Sequence, residues 1–345
     1  MSKTNFVVRL FSALWAGADG VRKVLHLVLL LFLFLMFFGA LSGTAPTLPK
    51  HAALYIQPYG TLVDQLEGDP YDRAIGELLD DGRPQTLVQD VVDALNYARD
   101  DDRIEAVYLE LSSVMGGGLS KLQRIADAIE NFKLSGKPVI ASADFMGQQA
   151  YYIAAHADEV FLHPDGAVLL RGYGRFRTYY KDAIDLLRLD WNVFRVGTHK
   201  SFVEPFTRMN MSEEDRESTL RLIDNFWALY QSGVSAAREL DEGAVDDFSQ
   251  NLLENVRTSG GDLAIAARDH GLVDELLTRN EVRERMIGFV GADEESPDMF
   301  QAVEMSQYLR HMRMLSGSTV EDENVAIIIA AGDIFFGERA PGRIG

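Results

Sequence analysis

From Val24 to Leu41 the chain reads VLHLVLLLFLFLMFFGAL, broken only by His26. A run of roughly 18 to 20 apolar residues, wound as a helix, crosses a bilayer core about 30 Å thick. Lys3, Arg9, Arg22 and Lys23 precede it against Asp19 alone, so this end carries +3. Set against −19 for the whole chain, the remainder carries −22. The positive-inside rule keeps the basic end in the cytoplasm and translocates the acidic body. Residues 1–23 are therefore read as a cytoplasmic N-terminus, 24–43 as a transmembrane anchor and 44–51, with Pro46 and Pro49, as a linker. A cleaved signal peptide is the rival, since Gly43-Thr44-Ala45 offers small residues at a cleavage position. The apolar run and its 23-residue lead-in are both long for that.

The 345 residues are 47% apolar, enough for a sizeable core and about two domains. A net charge of −19 argues against nucleic acid as a partner, because phosphate recognition needs clustered Lys and Arg. With no cysteine there is no disulfide, thiol catalysis or Cys-ligated zinc. Seven scattered histidines show no His-x-x-x-His or His-Glu-x-x-His spacing, so neither a metal site nor a cofactor is expected.

Beyond residue 51, short apolar runs alternate with amphipathic stretches. Strands are expected at Ala52 to Ile56, Arg103 to Leu111, Val139 to Ala143 and Glu159 to Leu162, and at WNVFRV, Trp191 to Val196. Helices are expected over Pro84 to Arg99, from about Ser120 with a Ser120-x-x-Gln123 capping box, over Gln148 to His156, and over Phe176 to Leu187. From Ser212 to Met286 the pattern is almost wholly helical, broken at Ser259-Gly260-Gly261. The alternation implies right-handed crossovers and a mainly parallel sheet. Leu54-Tyr55-Ile56-Gln57-Pro58-Tyr59-Gly60-Thr61-Leu62 resembles Ile327 to Phe335, which follows the polar segment SGSTVEDEN. This is either an internal repeat or two ordinary strands followed by glycine.

Three places bear on chemistry. SSVMGGG (Ser112 to Gly118) presents backbone N–H groups to an anion or is a flexible strand-to-helix turn; it lacks the Gly-Lys-Ser/Thr ending of a P-loop. No Gly-x-Ser-x-Gly elbow occurs, and no serine stands out as a nucleophile. The third place is VGTHKSFVEPF, Val196 to Phe206, where Lys200 and His199 follow what reads as a buried strand. Lys200 is either a solvated side chain paired with Glu204 or a general base. The Lys-then-Glu order is worth only a few tenths of a kcal/mol, and Pro205 biases Glu204 away from helical geometry. Burial favours a neutral amine able to take a proton from a hydroxyl.

Arg195-Val196-Gly197-Thr198-x-Lys200-Ser201-x-Val203-Glu204-Pro205-Phe206, followed by Met211-Ser212 opening a long helix, resembles the lysine motif of the two-repeat signal peptide peptidase A (protease IV) family. The anchor, Ser135-Gly136-Lys137-Pro138-Val139, Gln149 to Ala155 with Ala157-Asp158, and Gly271 to Leu276 agree in order, so the resemblance covers essentially the whole chain. It implies an α/β fold, a Clp-protease/crotonase-like repeat with a mainly parallel sheet, a helical excursion and an N-terminal transmembrane helix. It also implies a membrane-anchored serine peptidase of Ser–Lys dyad type, a bacterial inner-membrane, single-pass protein with its body in the periplasm. Cleaved signal peptides and other peptides are the implied substrates, bound extended along strand edges, and a homotetramer the implied assembly.

In that family the first repeat donates the lysine, here Lys200 as general base and acid, and the second donates the serine from a Ser-Gly-Gly-Tyr-type segment. The matching first-repeat segment is Gln148-Gln149-Ala150-Tyr151, so Gln148 holds the serine's place, and SSVMGGG resembles a degenerate copy of the oxyanion loop. The expected layout is a lysine-donating repeat over 52–315, a linker over 316–324 and the start of a truncated second repeat over 325–345. On this expectation the nucleophilic serine is absent from this chain and the fragment alone is inactive. The alternative is a non-catalytic, membrane-anchored, crotonase-like scaffold. An acyl-CoA enzyme is disfavoured by the anchor and the want of clear CoA-site residues.

Overall fold

The computed structural model describes residues 3–41, 48–68, 71, 76, 84–197, 199–316 and 337. The chain divides into two units, Met1–Thr47 and Leu48–Gly345. In the first, Lys3–Leu41 is one helix, α1. Leu14–Phe38 within it is long and apolar enough to cross a membrane, and its side chains are open all round. Asp19 is neutralised by Arg22 and Lys23 one turn away, at 2.7 and 2.8 Å.

The second unit is built on a six-stranded parallel sheet. Its strands are β1 (Ala52–Ile56), β4 (Ile104–Glu110), β6 (Val139–Gly147), β7 (Glu159–Leu169), β8 (Glu275–Leu276) and β9 (Ala302–Glu304), in the order β8-β7-β6-β4-β1-β9. A second parallel sheet, β3-β2-β5, is made of β2 (Gly60–Val63), β3 (Gln85–Leu87) and β5 (Val114–Gly116).

Alternation along each strand of the large sheet feeds two cores. Leu54, Ile56, Val107, Leu109, Val139, Ala141, Val160 and Leu162 point to one face. There they meet helices α2 (Val88–Arg99), α3 (Leu119–Lys133) and α4 (Gln148–Ala154). Ala53, Ala106, Tyr108, Ile140 and Phe161 point to the other, against Val282, Met286 and Val290. A sheet covered on both sides needs apolar residues at every position, and this is why the strands read as continuous apolar runs.

Several expectations shift. Pro84 to Arg99 is not one helix, because Gln85–Leu87 pairs with Thr61–Val63 and the helix begins only at Val88. Thr86 explains the preference for strand: its buried Oγ1 donates to Tyr59 O and accepts from Tyr59 N, both at 2.9 Å. The Ser120 capping box does not form. The helix starts one residue earlier, at Leu119, with Gly118 as N-cap and no side-chain cap, so Ser120 already lies within the first turn.

Strand β7 runs on to Leu169, past the turn-like Pro164-Asp165-Gly166, by way of a register shift against β6. Only glycine fits that crossing, since a Cβ on Gly166 would lie 2.2 Å from the Asp144 carbonyl oxygen. The helix expected over Phe176 to Leu187 is reduced to α5, Lys181–Leu186.

The buried strand expected at Trp191 to Val196 is absent. The segment is irregular, Phe194 is 98% and Val196 90% exposed, and no strand of either sheet pairs with it. Apolar composition makes a strand only where another strand pairs with it, and among the described residues none pairs with this segment. The long helical stretch opens as expected with α7 (Glu213–Ala237), capped by Ser212. The repeat proposed at Ile327 to Phe335, the linker at 316–324 beyond Ser316 and the second-repeat start at 325–345 (Gly337 apart) lie outside the described residues.

Candidate active site

Lys200 lies on the irregular link between α5 and the one-turn helix α6 (Glu204–Thr207). The side chain is exposed, as in the solvated reading and not as the burial argument for a neutral amine requires. Among the described residues its ammonium has no hydrogen bond or ion pair. The backbone at Lys200 and just after it, by contrast, is tied down. Arg195 Nη1 donates to the Lys200 carbonyl at 3.4 Å, and the Ser201 hydroxyl donates to Asp215 Oδ1 at 2.7 Å. Arg177 donates to the carbonyls of Ser201 and Phe202, at 3.1 and 3.3 Å. His199 reaches the same helix one turn further on, its Nδ1 at 3.2 Å from Ser218 Oγ.

Glu204 is not the partner of Lys200. Its carboxylate is 1% exposed and turned inward, accepting from Ser212 Oγ at 2.5 Å and from Ser212 N at 3.1 Å. The same serine accepts from Asp215 N and so caps α7. Glu204 is helical although Pro205 follows it. At the start of a helix the missing proline N–H costs nothing, and two bonds to the carboxylate outweigh the steric bias. Phe206 stacks on Trp191 at 4.5 Å and Tyr180 at 6.0 Å, fixing the far side of the turn.

Gln148 opens α4, which packs against β5 of the SSVMGGG segment. The structure therefore brings together the two places that resemble a degenerate nucleophile and oxyanion loop. No hydrogen bond or ion pair joins Lys200 to either of them among the described residues. Gln148 is a buried strut: its Oε1 accepts from Arg171 N at 3.1 Å and its carbonyl from Tyr230 OH at 2.8 Å. Val114–Gly116 is an outer strand of the small sheet, with Met115 exposed.

The remaining segments that carry the resemblance are structural. Asp158 accepts from Val139 N, and Asp274 accepts from Val160 N at 2.7 Å and pairs with Arg238 at 2.7 Å. Tyr151 OH donates to Leu272 O, and its burial pushes the phenol pKa up.

Residues 131–291, which include Lys200 and every group just described around it, match the profile of Peptidase family S49. This stretch of the body is similar to peptidase family S49. Over 349 aligned positions the chain is 31% identical to Protease 4 of Salmonella typhi, covering 99% of this chain and 56% of that protein. It is 28% identical over 235 positions to the chloroplastic serine protease SPPA of Arabidopsis thaliana, covering 68% of this chain and 33% of that one. A mutant of the membrane-bound stomatin-specific protease 1510-N has a TM-score of 0.38 at 13% identity, covering 75% of this chain and 95% of its own. The chain spans about half the length of the Salmonella relative.

Sequence reasoning missed Arg175, Arg177, Ser201 and Asp215 as a group. Their signal was faint: two arginines two residues apart, and an acid in the first turn of a helix 38 residues on. Neither spacing implies contact.

Proposed function

We propose that this chain is the lysine-donating repeat of a membrane-anchored serine endopeptidase that degrades cleaved signal peptides, with Lys200 as the general base. The observation that carries this reading is the contrast at Lys200. Its own carbonyl is bonded to Arg195 and the residue after it to Arg177 and Asp215, while among the described residues its ammonium has no partner. Gln148 at the place of a serine supports a nucleophile donated by a second repeat.

In the reaction, the neutral Lys200 amine takes the proton from the serine hydroxyl as its oxygen bonds to the scissile carbonyl carbon. The resulting ammonium then returns that proton to the amide nitrogen as the C–N bond breaks. The outer edge at Val114–Gly116 suits an extended peptide adding as a strand. The basic lead-in before the span supports a periplasmic body anchored in the bacterial inner membrane, and the family resemblance a homotetramer.

The test uses the full-length protease and a synthetic signal peptide. Lys200→Ala is expected to abolish hydrolysis with an unchanged circular dichroism spectrum and melting temperature. Lys200→Arg is expected to be equally inactive, because a guanidinium is not deprotonated in proteins. Hydrolysis retained in either variant would overturn the assignment.

A further inference from the structure

The candidate base stands on an irregular segment, yet its neighbours are fixed by groups that the dyad chemistry does not use. The centre of that arrangement is Asp215, whose side chain is 5% exposed. Its Oδ1 accepts from Ser201 Oγ at 2.7 Å and from Arg175 Nη1 at 3.3 Å. Its Oδ2 has no hydrogen bond among the described residues and lies 3.5 Å from Arg177 Nη1. Arg177 continues to the Ser201 and Phe202 carbonyls, and Arg175 to Thr219 Oγ1 at 2.8 Å.

A carboxylate withdrawn from water is costly unless ionic and hydrogen-bonding partners replace the solvent. Releasing residues 201–202 from α7 would strip Asp215 of its serine partner and separate Arg177 from the backbone it holds. The segment is therefore held to the helix by electrostatics where it has no strand or helix of its own. Ser201 is fixed through both its hydroxyl and its carbonyl, and it immediately follows Lys200.

We propose that Asp215, acting through Ser201 and Arg177, positions the Lys200 amine for proton transfer. Ser201 is then a positioning residue: its hydroxyl proton is directed into the Asp215 carboxylate and takes no part in peptide cleavage. The proposal rests on the reading of Lys200 as the base. A misplacement of about 1 Å in a reacting group costs on the order of 100-fold in rate, so an anchor one residue away has the leverage required.

The test measures kcat and KM separately in the full-length protease. Ser201→Ala is expected to lower kcat by about 10- to 100-fold while leaving KM within about twofold. Ser201→Thr keeps the hydroxyl and is expected to restore kcat to within a few-fold, a rescue that a purely steric role for the side chain would not produce. Wild-type kcat in Ser201→Ala, alongside an inactive Lys200→Ala, overturns the positioning role and leaves the base in place. Activity in Lys200→Ala overturns the reading beneath both. Should Ser201→Ala lower the melting temperature, Arg177→Lys replaces it, since lysine keeps a charge beside Asp215 but not the two-pronged grip on the carbonyls. An unchanged kcat in that variant also overturns the proposal.

Discussion

At the scale of single residues, buried carboxylates decide much of the local geometry. Glu204 and Ser212 hold the turn after Lys200 to the start of α7, and Ser212 does two jobs there. Ser212→Ala removes the helix cap and a hydrogen bond to a buried carboxylate. The expected loss is about 2–4 kcal/mol, read from the denaturant midpoint. Asp101 illustrates the pH side of the same physics. Burial opposes its ionisation, but hydrogen bonds from Arg103 and Tyr308 outweigh that and hold its pKa below the ordinary carboxylate value. Its contribution is thus present above the unfolded pKa of about 3.9 and is lost as pH falls through the lower folded value. Asp101→Asn is expected to flatten the acid limb of the stability profile below about pH 4, measured by thermal melts across pH.

At the scale of elements, the sequence made the central strands legible because burial on both faces leaves a continuous apolar signature. Ala52–Ile56 appears with the boundaries expected, and Ile104–Glu110 within one residue of them. Boundaries set by neighbours were not legible. Gln85–Leu87 is a strand only because Thr61–Val63 lies alongside, and β7 outruns its turn signal only because Gly166 lets two backbones meet. Gly166→Ala is therefore expected to destabilise by more than about 1 kcal/mol. Gly288→Ala, inside the helix Arg279–Val290 with open space at its Cβ, is expected to stabilise by up to about 1 kcal/mol. Chemical denaturation of the two variants side by side checks the contrast. The Trp191 to Val196 stretch failed in the opposite direction: its residues favour a strand, but no edge receives them.

For the whole molecule, the sequence determined that there is an apolar helix of membrane-crossing length ahead of a parallel α/β body, since both follow from the period and length of apolar runs. It also marked Lys200, through the local order of residues around it. Full-length protein is expected to resist alkaline carbonate extraction from membranes, whereas a form lacking residues 1–47 is expected to be released, as fractionation would show. Only the tertiary structure decided that Lys200 is exposed, that Glu204 turns away from it, and that Asp215 with Arg175 and Arg177 holds the segment it stands on. The physical reason is distance along the chain. Periodicity reports which face of an element is buried, but a carboxylate and a guanidinium 38 residues apart leave no periodic trace. Their pairing exists only once the sheet and helices have put them within hydrogen-bonding reach.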